Sequence, residues 1–422
     1  MSEAFHDVIY LFSCGARGSK PVLTHDIDVF KIYNVAMSQG IWQTTFIALK
    51  KLYDQGELTV DKKIFDKWHK EILIQAIQAI KRNTAVSNAI HALEQKDIQC
   101  CVLKGEVLAE LYHEPICRIS SDTDILIDKN SEKEAADTLK QCSFEVKTRY
   151  PTSHHVCCYH PLTGLIELHL RLYDELYEDV WFDKRILNME IHRQIKTSQG
   201  NYITTLGIND GVIFITLHLI KHFLSKGVGI RQLMDILLYM GHYKNDIDWD
   251  RYNKLLNYLK YDKFMDNAIG IGVKYLGFDE NELPKSKHND NIMQKILLDM
   301  EKGGIYGENE VERREFYKVY TEERFRRFKK GSYKHYMNKW MRRPNVVKTL
   351  FPNRVNMSIK YSYVQNNELL LFVAWIHRSF NFILDVFKKK KDIKQYFEYQ
   401  SPEMNNDVVK KRMGLIRELD MI

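Results

Sequence analysis

Between Ile98 and Leu172 the spacing of apolar residues switches between period two and helical spacing, and this is the part of the chain that reads as strand and helix in alternation. The apolar run Ile98 to Leu103 predicts a strand that stops at Lys104-Gly105, followed by a helix over 106–112 that His113-Glu114-Pro115 breaks. Asp122 to Asp128 alternates polar and apolar, so Asp122 and Asp124 point the same way from one strand. A helix over Ser131 to Cys142 follows, with Ser131 as its N-cap. Three more strands are expected at Phe144 to Thr148, His154 to Tyr159 and Leu165 to Leu172, joined by turns that contain Pro151, Pro161 and Gly164. In the last of them Ile166, Leu168, Leu170 and Leu172 share one face, and Glu167, His169 and Arg171 share the other. One face is core, the other a polar site or water.

On either side the pattern is helical. Residues 1–95 carry a short helix near Phe5 to Phe12, amphipathic segments at Asp28 to Met37 and Trp42 to Leu52, and a long helix over Phe65 to Leu93. The long helix turns Trp68, Ile72, Ile80, Val86, Ile90 and Leu93 inward and Lys67, Lys70, Lys81 and Arg82 to solvent. From Asn209 helices are expected at Asp210 to Ser225, Gly229 to Tyr243, Asp248 to Leu259 and Lys260 to Leu276, then a polar linker Asn281 to Asp290 and a last amphipathic helix Leu369 to Phe387. The fold class is α+β, a small mixed sheet flanked by helical regions. Four parts are expected: 1–95, a core at 96–205, a helical module at 206–300 and a basic region at 301–422.

Length and charge refine this picture. A chain of 422 residues exceeds one small core. Its net charge of +7 is local, because Val311 to Arg343 alone holds twelve Lys/Arg against four Glu. With its interleaved aromatics that tract reads as a solvated helical face over a core or, less simply, as an RNA platform. Seven cysteines, two pairs of them adjacent and none in a CxxC, fit neither a disulfide framework nor a zinc ribbon, so a reducing cytoplasm is the expected location. The N-terminus lacks the basic and apolar segments of a signal peptide, and the longest apolar run, Leu369 to Ile376, is too short to span a bilayer.

The candidate chemistry lies at the strand ends. Asp122 and Asp124 offer two carboxylates on one face, and Glu167 is the acidic residue of the 154–172 strands, on a polar face. Three crowded carboxylates repel unless a cation joins them, and oxygen donors of this kind suit Mg²⁺ or Mn²⁺. The competing readings are a solvated strand end and an exposed sheet face. Gly105 lets the backbone turn and bares N–H groups that suit a phosphate, with Lys104 beside it. His218 and His222, spaced i, i+4, lack the glutamate of a zinc-protease helix and read as packing residues, while Arg231 and Asp235 at the same spacing read first as a surface ion pair.

LKGxxLxxLY at Leu103 to Tyr112, RxxSDxDxLI at Arg118 to Ile127, GLIELHL at Gly164 to Leu170 and LHLIKHFLSKGVGIRQLMDILL at Leu217 to Leu238 resemble the bacterial uncharacterised nucleotidyltransferase family of the polymerase β-like superfamily. The resemblance implies that Gly105 opens a phosphate-binding turn, that Asp122 and Asp124 bind metal and that Glu167 completes the set. Lys104, Arg118, Ser121 and His169 are then the phosphate and substrate contacts. The chain departs from the superfamily's usual glycine-serine or glycine-glycine turn in having Gly105-Glu106, for which Lys104 and Arg118 would compensate. The implied activity is metal-dependent transfer of a nucleoside monophosphate from an NTP, ATP foremost, to the hydroxyl of an acceptor that is a small molecule, a protein or RNA. The alternative is a catalytically silent nucleotide- or RNA-binding protein of the same fold.

Overall fold

Local signals in the chain set where its helices begin. In the computed structural model, which describes residues 1–120, 122–147, 154–160, 164–172, 192–225, 227–304, 316–317, 319–320, 361, 370–377 and 406–422, most of the early helices open on a side-chain cap. Ser2 caps α1 (Glu3–Arg17), Asp28 caps α2 (Val29–Ser38) and Asp61 caps α4 (Lys62–Glu94), each side chain accepting from a first-turn N–H. α3 (Trp42–Asp54) packs chiefly against α1. α1 runs a turn past its expected end and stops at Gly18, whose φ of 75° no β-carbon would favour.

Seven strands form one mixed sheet in the order β3-β4-β5-β2-β1-β7-β6. They are β1 (Cys101–Val102), β2 (Asp122–Leu126), β3 (Glu145–Val146), β4 (His155–His160), β5 (Gly164–His169), β6 (His192–Lys196) and β7 (Tyr202–Leu206). β2 pairs antiparallel with β1 and parallel with β5, and β5 pairs antiparallel with β4. The alternation in β2 and β5 sorts their side chains. Ile125, Ile127, Ile166, Leu168 and Leu170 enter one core with Val86, Ala89, Ile90 and Leu93 of α4 and with Ala135 and Leu139 of α6 (Glu132–Gln141). The opposite face of the same strands carries Asp122, Asp124, Glu167 and His169. A slip of one residue in either strand would exchange the two sets and bury carboxylates, so the register is held by the hydrophobic effect.

That polar face is covered by α7 (Ile208–Ser225) and α8 (Ile230–His242), followed by α9 (Trp249–Leu259), α10 (Asp262–Tyr275) and α11 (Asp290–Gly303). The hairpin β6–β7 and helix α11 are additions to the expected elements. β6 alternates exposed and half-buried side chains at the edge of the sheet, so its apolar signal is weak, and α11 begins at the end of a stretch that reads as a polar linker. The helix after Gly105 is shorter than expected, with α5 spanning Glu106–Ala109 only.

Two expectations for α4 are corrected. Ile80 is half exposed, together with Leu73, Ile74 and Ile77, because the middle of this 33-residue helix passes beyond the core that its ends enter. Arg82 turns inward rather than to solvent.

Contacts divide the chain into two units, Met1–Glu308 with Leu415–Met421, and Asn309–Gly414 with Ile422. In the first, Glu418 pairs with Lys295 at 2.7 Å. In the second, Arg412 lies 4.7 Å over the Phe316 ring, and Tyr361 and Ala374 are buried together. A helix Asn406–Glu418 forms where no element was expected. The basic tract 311–343 lies outside the described residues except at 316–317 and 319–320, as does the expected helix 369–387 outside 370–377. Among the described residues no helix is long and apolar enough to cross a membrane.

Candidate active site

Strand pairing brings the distant carboxylates together. The β2–β5 register sets Asp124 directly opposite Glu167, with Asp122 two residues away on the same face of β2. Ligand atoms of Asp124, Glu167 and His169 all lie within 4.8 Å of one another. Asp124 is 1% exposed, whereas Asp122 and Glu167 are half-buried, so the cluster runs from the sheet floor toward an opening.

Lys104 follows β1 into the same space. The Leu103 amide donates to the Asp124 carbonyl at 3.0 Å, which fixes the next side chain over β2. Its ammonium lies 2.8 Å from Asp124 Oδ2 and 3.7 Å from Asp122 Oδ2, and it donates to His218 Nε2 at 3.2 Å. Burial pushes the Lys104 ammonium below its ordinary value, Arg231 and Arg118 adding to the effect and Asp122 and Glu167 opposing it. Burial likewise holds the His218 ring well below the usual imidazole range, with Lys104 as the next cause, so His218 is a neutral acceptor here. His218 therefore faces the site rather than serving helix packing alone. Its ring centroid is 4.4 Å from that of His222.

His169 is an orienting group. Its Nε2 lies 3.0 Å from Asp124 Oδ1 and 3.5 Å from Glu167 Oε2, and burial lowers its pKa, which keeps the ring neutral at physiological pH. Burial would raise the Glu167 carboxyl, but the hydrogen bond from His169, the neighbouring His155 and His169 rings and the Lys104 ammonium outweigh it and bring it down to about 2. Glu167 is thus ionised throughout the neutral range.

Beside this cluster Arg118 and Asp235 form a closed pair. Arg118 Nε and Nη2 donate to the two Asp235 oxygens at 2.8 and 2.7 Å, Nη1 donates to the Gly105 carbonyl at 3.1 Å, and the Tyr112 hydroxyl donates to Asp235 at 2.8 Å. The i, i+4 pairing of Arg231 with Asp235 gives way to this arrangement: Asp235 is buried, and Arg231 donates to the Ile119 carbonyl. Burial opposes ionisation of Asp235, yet Arg118 outweighs it and holds the carboxyl below its ordinary value. Arg118, expected to hold phosphate, has its guanidinium turned to Asp235 and to the turn at Gly105.

Gly105 itself sits at φ 73°, ψ −97°, a conformation that a side chain would strain. Its neighbour Glu106 accepts from Thr123 Oγ1 at 2.7 Å, and Arg82 donates to the carbonyls of Ser120 and Asp122, to Thr123 Oγ1 and to Glu106. Arg82 therefore braces the segment that delivers Asp122. Periodicity alone could not show this, since an arginine on the polar edge of a long helix has the same spacing whether it meets water or a neighbouring loop. Ser121 lies outside the described residues.

A cavity of about 50 Å³ opens between this face and α7 and α8, lined by Lys104, Gly105, Asp122, His218, Arg231 and Gln232 among others. The donors fit a hard divalent cation. Asp122, Asp124 and Glu167 supply carboxylate oxygens on one face, and the Lys104 ammonium already lies in the notch between the aspartates, so the notch accepts positive charge. Lys104 and Arg231 add positive charge to the cavity wall.

Neither the curated proteins nor the solved structures contain a match to this chain. The family model described as uncharacterised nucleotidyltransferase matches residues 25–277, a stretch that includes every site residue named above, and the chain belongs to that family.

Proposed function

We propose that the chain transfers a nucleoside monophosphate from an NTP to an acceptor hydroxyl, with release of pyrophosphate. The observation that carries the reading is the placement of Asp124 opposite Glu167 and beside Asp122, with Lys104 and Arg231 on the adjoining cavity wall. Family membership supports the general reaction class. Asp122, Asp124 and Glu167 would hold Mg²⁺ or Mn²⁺, which when bound neutralises the phosphates and acidifies the attacking hydroxyl.

The chain's own groups have distinct tasks. Lys104 and Arg231 bind the anionic phosphates, and Arg118 holds the Gly105 turn open by its bond to that residue's carbonyl. His169 fixes Asp124 and Glu167 through a single nitrogen. As the acceptor oxygen attacks the α-phosphorus, the P–O bond to pyrophosphate breaks and the hydroxyl proton passes to Glu167. A carboxylate held this low is a weak base, so the proton leaves while the new P–O bond forms, not before.

Pyrophosphate release with each NTP and Mg²⁺ or Mn²⁺, across a panel of hydroxyl acceptors, tests the reading, alongside Mg·NTP binding by calorimetry. Binding that is lost in Asp122→Asn and Asp124→Asn supports it. Parent-like Mg·NTP affinity in both variants refutes it.

A further inference from the structure

β4 brings to the same sheet face a set of donors that nucleotidyl transfer does not use. The β4–β5 register places Cys157 opposite Glu167 and His155 opposite His169, so the row Cys157, Glu167, Asp124 crosses three strands with the two imidazoles beside it. Ligand atoms of His155, Cys157 and Glu167 lie within 4.8 Å of one another, and all three residues are half-buried.

From this geometry we infer a second cation site, made of His155 Nε2, Cys157 Sγ and one oxygen of Glu167, that takes Zn²⁺. Glu167 then serves two sites, turning one oxygen toward the aspartates and the other toward β4.

The donor chemistry separates the two. A thiolate and an imidazole are poor ligands for Mg²⁺, which selects hard oxygen and retains water, whereas Zn²⁺ takes sulfur, nitrogen and carboxylate oxygen together. The spacing is close. Zinc bonds of about 2.0–2.2 Å to nitrogen and oxygen in a tetrahedron separate those two atoms by roughly 3.3–3.5 Å, and His155 Nε2 lies 3.8 Å from Glu167 Oε1, so the pair closes by a few tenths of an ångström on the ion. The other Glu167 oxygen is 3.5 Å from His169 Nε2, which in turn is 3.0 Å from Asp124, so the carboxylate's second oxygen is already oriented by a hydrogen-bonding neighbour. Cys158 does not compete for Cys157, because strand alternation sends it into the core on the far face of the sheet. Three protein ligands leave a fourth tetrahedral position for water or a substrate atom.

The inference shares Glu167 with the proposed reaction but stands without it, and the test keeps the two apart. Untagged full-length protein is loaded with Zn²⁺, dialysed and assayed for bound metal by mass spectrometry. The metal-free protein is then titrated with Co²⁺ while thiolate-to-cobalt charge-transfer absorbance is followed. One zinc per chain is expected, with a charge-transfer band in the parent and in Asp124→Asn. In Cys157→Ser the band disappears, and in both Cys157→Ser and His155→Ala zinc affinity falls roughly a hundredfold or more. Circular dichroism establishes which variants are folded, and His155→Ala decides the matter if Cys157→Ser is not. Absence of zinc from the loaded parent, a cobalt spectrum without the band, or parent-like zinc affinity in the folded variants overturns the site. Loss of Mg·NTP binding in Asp124→Asn with zinc retained separates this site from the one proposed for nucleotidyl transfer.

Discussion

Two charged clusters lie side by side in the first unit, and they differ in how completely their charges are met. Around Asp235 both carboxylate oxygens accept from Arg118, one also accepts from Tyr112, and the third arginine nitrogen reaches the Gly105 carbonyl. Around Asp124 three acidic residues gather on one sheet face, Lys104 contacts two of them from the side, and neutral imidazoles complete the wall. The first arrangement is saturated, so its role is to hold α8 to the Gly105 turn. The second sets three carboxylates against one ammonium, an excess of negative charge on one sheet face that a cation would offset, with Asp122 on the cavity wall. Buried charge alone therefore does not mark a site; an excess of one sign beside an opening does.

The comparison breaks first at Asp235. Replacement by Ala strands the buried Arg118 guanidinium and is expected to cost about 3–5 kcal/mol of stability, measured by urea unfolding. An effect below about 1 kcal/mol would mean that the pair is no tighter than a surface ion pair.

Asp124→Asn and Asp122→Asn should do the opposite. Pyrophosphate release is expected to fall about a hundredfold or more, while the melting temperature stays within a few degrees or rises, because like charges have been removed. A large loss of stability with parent-like turnover would exchange the roles of the two clusters.

Acid sharpens the contrast. Since the folded Asp235 carboxyl is held below its ordinary value, its contribution is complete above the unfolded value of about 4 and is lost as pH falls through the folded one. The stability gap between parent and Asp235→Asn should therefore be constant from pH 7 to about pH 5 and shrink toward pH 3. A gap that widens in acid has the wrong sign for an ion pair.

The smallest effect belongs to the turn that joins the clusters. A Cβ at Gly105 would lie 3.5 Å from its nearest neighbours, so Gly105→Ala meets no clash and suffers only for its positive φ. A loss of about 1–2 kcal/mol is expected, accompanied by weaker NTP binding if the turn's backbone contacts phosphate. Unchanged binding would remove the turn from the phosphate grip and leave Lys104 and Arg231.

Much of this was legible beforehand wherever one residue's neighbours along the chain decide its environment. The alternation in Asp122 to Asp128 and Leu165 to Leu172 located both strands and their polar faces, and the positive φ at Gly105 follows from an apolar run that ends on Lys-Gly. Arg82 and Arg231 were harder, because a long side chain at a helix boundary takes its partner from whatever element packs there. β6 escapes the pattern for a related reason, since an edge strand with one face exposed and the other only half-buried has little apolar signal to give.

By itself, then, the sequence determined the α+β class, the strand faces and which carboxylates share the polar face, because burial of alternate apolar residues is a local matter of period and register. Only the tertiary structure decided that Asp124 meets Glu167 and Cys157 in one row, that Asp235 belongs to Arg118 rather than to Arg231 four residues earlier, and that His218 receives Lys104. Those choices depend on which strands neighbour one another and which helix covers them. Many orders of the same strands satisfy the same alternation, and the packing of whole faces selects among them.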